Sequence, residues 1–398
     1  MESSENLLGE IEVSMSSMQL VTAVTISGAL IFGMILALFG SLKLAVARRL
    51  QLDDGQVRHL RIALNIALIP LMLLSGVLVD NLGVRSVLMA GSVVLSVALV
   101  SLSLRPTYPH AFGAILLAAF GVAALSTASI VLMPRAFFSP VETSASLNLG
   151  FVFIALGALL TPVLADILLD RVGLRRTLGA FALLALVPAF LAVFPHAEHW
   201  QIADHPGDSA ALFSEPSSWL AALVFFVYAP LEASISLWTL TLLTERNQDE
   251  REAGGLLTGF WIGFLASRLL VAVGRHTDIL SETWDRWIVV LPPLMAAVVI
   301  GNLAGASHRG RPRGGLILLG LLLGPVFPTL LAMIFRYVAP AEQGLAYGIV
   351  FAAGSLGSLL LSPVLTLRTR QPLQTLRVPI FLALLLTAVT LVLGLMTP

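Results

Sequence analysis

The chain has 398 residues, 57% of them hydrophobic and 12% charged. A soluble chain carries roughly 25% charged residues, so an ordinary water-facing globule is excluded. Lys plus Arg and Asp plus Glu balance at 23 each, no basic stripe offers a nucleic-acid face, and the lack of cysteine excludes disulfides, thiol catalysis and Cys-based metal sites.

The first seventeen residues hold Glu2, Glu5, Glu10 and Glu12 and no Lys or Arg. A cleavable signal peptide opens with positive charge, so this is a short acidic tail. Beyond it, apolar stretches of about 20 residues, the length that crosses a bilayer, recur along the chain. They predict helices over 18–42, 62–80, 86–104, 111–133, 146–168 and 177–195, then 217–243, 255–274, 287–304, 314–335, 344–366 and 378–396. The polar segment 196–216 separates the two sets. The expected organisation is a six-helix bundle over 1–195, a loop over 196–216 and a second six-helix bundle over 217–398. An even count places both termini on one side. Two halves around a midplane site is an architecture of secondary transporters.

Charge opposes the simplest orientation. With both termini cytoplasmic, the cytoplasmic loops hold Arg85, Arg135, Arg275, Arg286 and Arg336. Seventeen of the 23 Lys and Arg lie on the other side, among them Lys43, Arg48, Arg49, Arg58 and Arg61 in one loop. The positive-inside rule alone favours termini outside.

After the second predicted helix, residues 76–88 read GVLVDNLGVRSVL. Gly76 allows close helix contact, and Gly83 permits a tight turn. Asp80 ends a helix, where it can accept backbone hydrogen bonds or face the positive N-terminus of another helix. Arg85 follows. The bland alternative is an ordinary capped turn. This segment resembles the loop signature of the major facilitator superfamily, with Asn81 and Ser86 at positions usually basic. A second similar string, DILLDRVGLRRTL at 166–178, lies three helices later and so on the opposite face. Its context resembles the superfamily's fifth helix and external turn. The resemblance therefore makes the first copy the cytoplasmic conformational latch and implies cytoplasmic termini, against the charge count.

YAPLEASISLWTLTLL (228–243), GLLTGFWIGFLASRLL (255–270), GPVFPTLLAM (324–333) and EQGLAYGIVFAAGSLGSLLLSPVL (342–365) resemble helices seven, eight, ten and eleven of the fucose–proton symporter-like branch. The resemblance implies an all-α membrane protein with the major facilitator-type fold, twelve transmembrane helices in two bundles. Two departures matter. The first and fourth helices lack the acidic residues of fucose-type symporters. The fifth has Thr161 before Pro162 where drug antiporters place Gly. Neither coupling scheme transfers intact.

Glu232 is the one carboxylate placed at mid-membrane. Ionisable groups at that depth are costly and often mark a pathway. It could carry a proton or accept hydrogen bonds from sugar hydroxyls, or be a structural carboxylate. Arg268, in helix eight, could pair with it, form a gate contact or snorkel to the interface. Tyr228, four residues before Glu232, shares its face. Trp238, six residues on and roughly 9 Å along the helix, reaches that face only with a break, which Pro230 could supply. Asn148, in a Leu-Asn pair that lies near substrate in the resembled branch, is a further candidate, or a polar helix-start residue. Trp261 reads as an interface anchor. Asn65 and Asn302 read as interhelical hydrogen-bonding residues. The seven His, including His196, His199 and His205, show no metal-ligand spacing.

These readings define a secondary active or facilitative transporter of a small polar solute, a sugar first, working by alternating access with protons as the candidate coupling ion. Efflux of drugs or lipophiles is the alternative. A membrane-embedded enzyme or a sensor is disfavoured, because no sizeable loop holds paired carboxylates or a His cluster. The expected setting is a bacterial inner membrane, as a monomer without cofactor or metal.

Overall fold

The structure is a computed structural model describing residues 2–104, 107–138, 142–194, 200, 212, 214, 216–245, 250–305, 312–367 and 377–396. Within these, the side chains of 2–17, 44, 217, 236–245, 250–256, 304–305, 312–313, 362–367 and 395–396 are outside the description. The side chain of Trp238 and the residues His196, His199 and His205 therefore lie outside it, as does most of 196–216.

Among the described residues every regular element is a helix. In order they are α1 (Glu2–Ser41), α2 (Lys43–Leu50), α3 (Asp54–Leu82), α4 (Val84–Leu104), α5 (Tyr108–Ala136), α6 (Thr143–Ala185) and α7 (Val187–Leu191). After the interruption come α8 (Pro216–Glu245), α9 (Glu250–His276), α10 (Thr283–Gly305), α11 (Pro312–Leu323), α12 (Val326–Tyr337), α13 (Gln343–Leu367) and α14 (Arg377–Met396). A short 3-10 turn, Pro340–Glu342, precedes α13.

Eleven described stretches are long and apolar enough to cross a membrane. One of them, Thr143–Leu191, has 49 residues. At 1.5 Å per residue it is about 75 Å long, over twice a hydrocarbon core of about 30 Å. Gly173 resolves this. Its φ of 74° is left-handed backbone, which breaks the helical path inside α6 and suits glycine. The stretch is thus two crossings, the predicted fifth and sixth helices, and the total is twelve. The predicted tenth helix is also broken: α11 and α12 are separated by Gly324-Pro325.

The chain forms two compact units. The first comprises Met1–Val141, Gly150–Ser209 and Ala339–Gly348; the second comprises Glu142–Leu149, Ala210–Val338 and Ile349–Pro398. In the first unit α5 is the hub, packed against α4, α3 and α1, and nearly every residue from Gly121 to Pro134 is buried. Small residues let backbones touch, as membrane interfaces require in the absence of a hydrophobic drive between helices. A Cβ on Gly33 would overlap the Ile154 carbonyl of α6, and one on Gly157 the Leu30 carbonyl of α1. The Thr161 hydroxyl shares its proton between the Gly157 carbonyl at 2.8 Å and the Met34 carbonyl of α1 at 3.2 Å. Gly157→Leu is therefore expected to destabilise the protein by roughly 1–3 kcal/mol, the usual cost of overpacking. Thermal unfolding of the purified variant in detergent measures this.

In the second unit α9 packs on α11, and α14 packs on α8 and α10. Gly263 of α9 meets the Ile317 carbonyl, while Gly320 and Gly324 meet the Phe260 and Phe264 carbonyls. Asn302 departs from the sequence reading. Its amide donates to the Val298 carbonyl of its own helix at 3.0 Å, a local bond that satisfies an exposed side chain. Asn65 is likewise exposed.

Candidate functional site

The broken tenth helix organises the site. Proline has no N–H to donate, so Pro325 and Pro328 leave the carbonyls four residues earlier, Leu321 and Gly324, without their helical donors. Buried carbonyls need partners. Two predicted binding residues reach carbonyls at the break, one of them Gly324. The Tyr228 hydroxyl of α8 donates to the Leu323 carbonyl at 3.1 Å. The Arg268 Nε of α9 donates to the Gly324 carbonyl at 2.8 Å. Tyr228 is 3% exposed and Arg268 6%, so Arg268 does not snorkel to water. Its guanidinium also lies over the Phe264 ring, 4.2 Å from the centroid.

Glu232 is one turn beyond Tyr228 on α8 and part-buried. It lies close enough to the Tyr228 hydroxyl and to Arg268 to interact electrostatically with both. A phenol carries one proton. In the structure that proton points at Leu323, which leaves the Tyr228 oxygen only acceptor capacity toward Glu232.

Asn148 converges on the same element. It is fully buried, and its amide donates to the Ser144 carbonyl at 2.9 Å and to the Thr329 hydroxyl of α12 at 3.1 Å. Tyr228, Arg268 and Asn148 therefore grip Leu323, Gly324 and Thr329, which span the break. Trp261, 37% exposed, stacks edge-on against Phe260 and Phe264.

The 76–88 motif sits in the first unit. Both Asp80 oxygens accept backbone N–H groups from the first turn of α13, Gly344 at 2.9 Å and Leu345 at 2.8 Å. Asp80 does the work of an N-cap from a distant segment, placing its charge at the positive helix end. Gly76 makes this approach possible, since a Cβ there would overlap the Gly344 carbonyl. Gly83 ends α3 with φ 83°. Arg85 caps the opposite pole of another helix, donating to the Ala192 and Val193 carbonyls at 3.0 Å each after α7. In the second string, by contrast, Asp166, Asp170, Arg175 and Arg176 are exposed. Asp80→Ala is expected to cost about 1 kcal/mol, the usual loss of a cap, seen as a lowered melting temperature. Arg176→Ala should leave it unchanged.

One cluster escapes sequence reading. In the second unit Asp285, 1% exposed, accepts from the Ser144 hydroxyl at 3.1 Å and pairs with Arg336 at 2.7 Å and Arg275 at 3.5 Å. Glu282 completes it, 3.6 Å from Arg336 and 3.9 Å from Arg275. Alongside, His276 meets Glu142 at 3.0 Å. These residues sit at predicted loop edges, and nothing in their spacing announces that they meet.

Twelve apolar helices, a carboxylate capping a distant helix start and buried ionisable groups at a helix break define a secondary-transporter type of membrane protein. The family model of the Major Facilitator Superfamily matches residues 24–362, and the chain belongs to that superfamily. It is 25% identical to the uncharacterized MFS-type transporter YfkL of Bacillus subtilis (strain 168) over 371 residues, 88% of this chain and 89% of that one. It is 26% identical over 171 residues to a human voltage-gated purine nucleotide uniporter, a match spanning 40% of this chain and only 37% of that relative. Among solved structures, the Escherichia coli fucose:proton symporter FucP superposes with a TM-score of 0.76 at 15% identity, covering 94% of this chain and 99% of that one. A bacterial homologue of the iron transporter ferroportin gives 0.74 at 14% identity, over 95% and 98%. At these identities the likeness is one of fold.

Proposed function

We propose that this protein is a secondary transporter that moves a small polar solute, a sugar, across the membrane by alternating access, with proton coupling through Glu232. The observation that supports this most is the assembly of buried Tyr228 and Arg268 with part-buried Glu232 at the α11–α12 break. A path for lipophiles has no need of a carboxylate and a guanidinium at that depth, where each is costly. A carboxyl that can gain and lose one proton is the minimum a proton-coupled carrier requires. The fold of the fucose:proton symporter and of the proton:xylose symporter supports the same substrate class. Asp80 serves as the conformational latch, breaking its bonds to α13 once per cycle. Both termini are cytoplasmic in this reading.

The test is uptake of a monosaccharide panel into proteoliposomes, with and without an inward proton gradient. At least one sugar should accumulate above its external concentration, and a protonophore should abolish that. No uptake of any sugar, combined with thermal stabilisation by hydrophobic cations, would replace this reading by efflux. Protease access to tags on intact cells settles the termini.

A further inference from the structure

A different property of the helix break concerns ions. The C-terminal end of α11 presents the Leu323 and Gly324 carbonyls inside the second unit, and a helix C-terminus carries roughly half a negative charge. Glu232 stands beside the same two side chains that reach those carbonyls. In other transporters, unwound carbonyls and half-helix C-terminal ends of this kind bind a coupling sodium ion. Here the place is taken from within the chain. Arg268 puts a guanidinium against Gly324 at 2.8 Å, with its flat face on Phe264. Ser267, the preceding residue on α9, lies so close to Gly324 that any Cβ there would overlap its hydroxyl, so the α9–α11 packing fixes where the Arg268 side chain emerges. Arg268 is 6% exposed, and a buried cation requires a compensating negative environment.

We propose that the Gly324 carbonyl at the break, together with Glu232, forms a monovalent-cation site whose resident ion is the chain's own Arg268, and that the protein is therefore indifferent to sodium. The tethered guanidinium holds α9 to the break as a bound ion would, but cannot dissociate. Removing the charge opens the site to a dissolved cation of similar chemistry.

This rests on the transport reading only where uptake is the readout, so the primary assay is binding. Purified full-length wild type, Arg268→Gln and Arg268→Lys are melted in sodium, guanidinium (millimolar, below denaturing levels) and choline chlorides at equal ionic strength. Wild type and Arg268→Lys should melt identically in all three. Arg268→Gln should melt lower in choline and recover, saturably, with sodium or guanidinium. In proteoliposomes its uptake should fall about tenfold or more, as loss of a charged hydrogen bond implies, and rise again with the same cations. A merely structural hydrogen bond predicts the opposite order: glutamine tolerated, lysine worse, and no cation response in either. That result overturns the proposal. So does specific stabilisation of wild type by sodium, which stands as a test even if Arg268→Gln does not fold. Cation-dependent melting with no sugar uptake by any form would uphold the site and sink the substrate reading alone.

Discussion

Glu232→Gln should abolish uphill uptake and leave exchange intact. Glutamine keeps the shape of the side chain and a capacity to hydrogen-bond, but it has no proton to release. One proton moving down one pH unit supports about tenfold accumulation of the solute, since one unit corresponds to 1.36 kcal/mol. In the variant that ratio should fall to one at every imposed gradient. Counterflow of labelled against unlabelled solute requires no net proton movement and should continue near the wild-type rate. Gradient-driven accumulation unchanged in Glu232→Gln would remove Glu232 from the coupling path. Tyr228→Phe is the companion: it deletes the hydroxyl that reaches Leu323 at 3.1 Å, leaving a buried carbonyl short of a donor, and should weaken coupling without eliminating it.

The largest stability effect belongs to Asp285→Ala. Removing one member of a buried ion group typically costs 3–5 kcal/mol, because the remaining charge has been taken out of water. Arg275, 6% exposed, would be left in that position. Glu282 remains within 3.9 Å of it, and Arg336 is partly exposed at 28%, so a value of about 3 kcal/mol is expected. Ser144 would also lose its acceptor. The measurement is the unfolding midpoint of the purified variant, with Glu142→Ala beside it. Glu142 meets His276 on the surface, where ion pairs contribute about 0–1 kcal/mol, and its loss should scarcely register. Equal melting of the two variants would mean that the Asp285 cluster is as well hydrated as the surface pair.

The helices were legible because hydropathy over about 20 residues reports directly on the solvent each segment meets. Twelve spans predicted from that pattern agree with the fold. What hydropathy cannot register is a break that leaves the apolar content intact. Residues 314–335 read as one span, yet Gly324-Pro325 divides it, and only the two prolines hinted at this. Gly173 was legible, by contrast: it falls in the turn expected between the fifth and sixth helices, where the structure breaks the helical path. For the site, Glu232 and Arg268 stood out because charge is conspicuous in an apolar stretch. The carbonyls that Tyr228 and Arg268 meet did not, since backbone carbonyls have no sequence signature. Asp285 was lost for the converse reason: an acid at a helix start is ordinary. Its importance arises from Arg275, Arg336 and Ser144, which are brought to it by packing.

The two bonds of Asp80 also bear on how the protein is made. Asp80 and Gly344 are separated by 264 residues, and Ser144 and Asp285 by 141. Chains emerge from the ribosome N-terminus first, so the first bundle is inserted with Asp80 unsatisfied and stays so until the eleventh helix arrives. Contacts of such long sequence separation close late and slowly. A nascent chain halted before Ala339 would hold most of the first unit without its carboxylate partners.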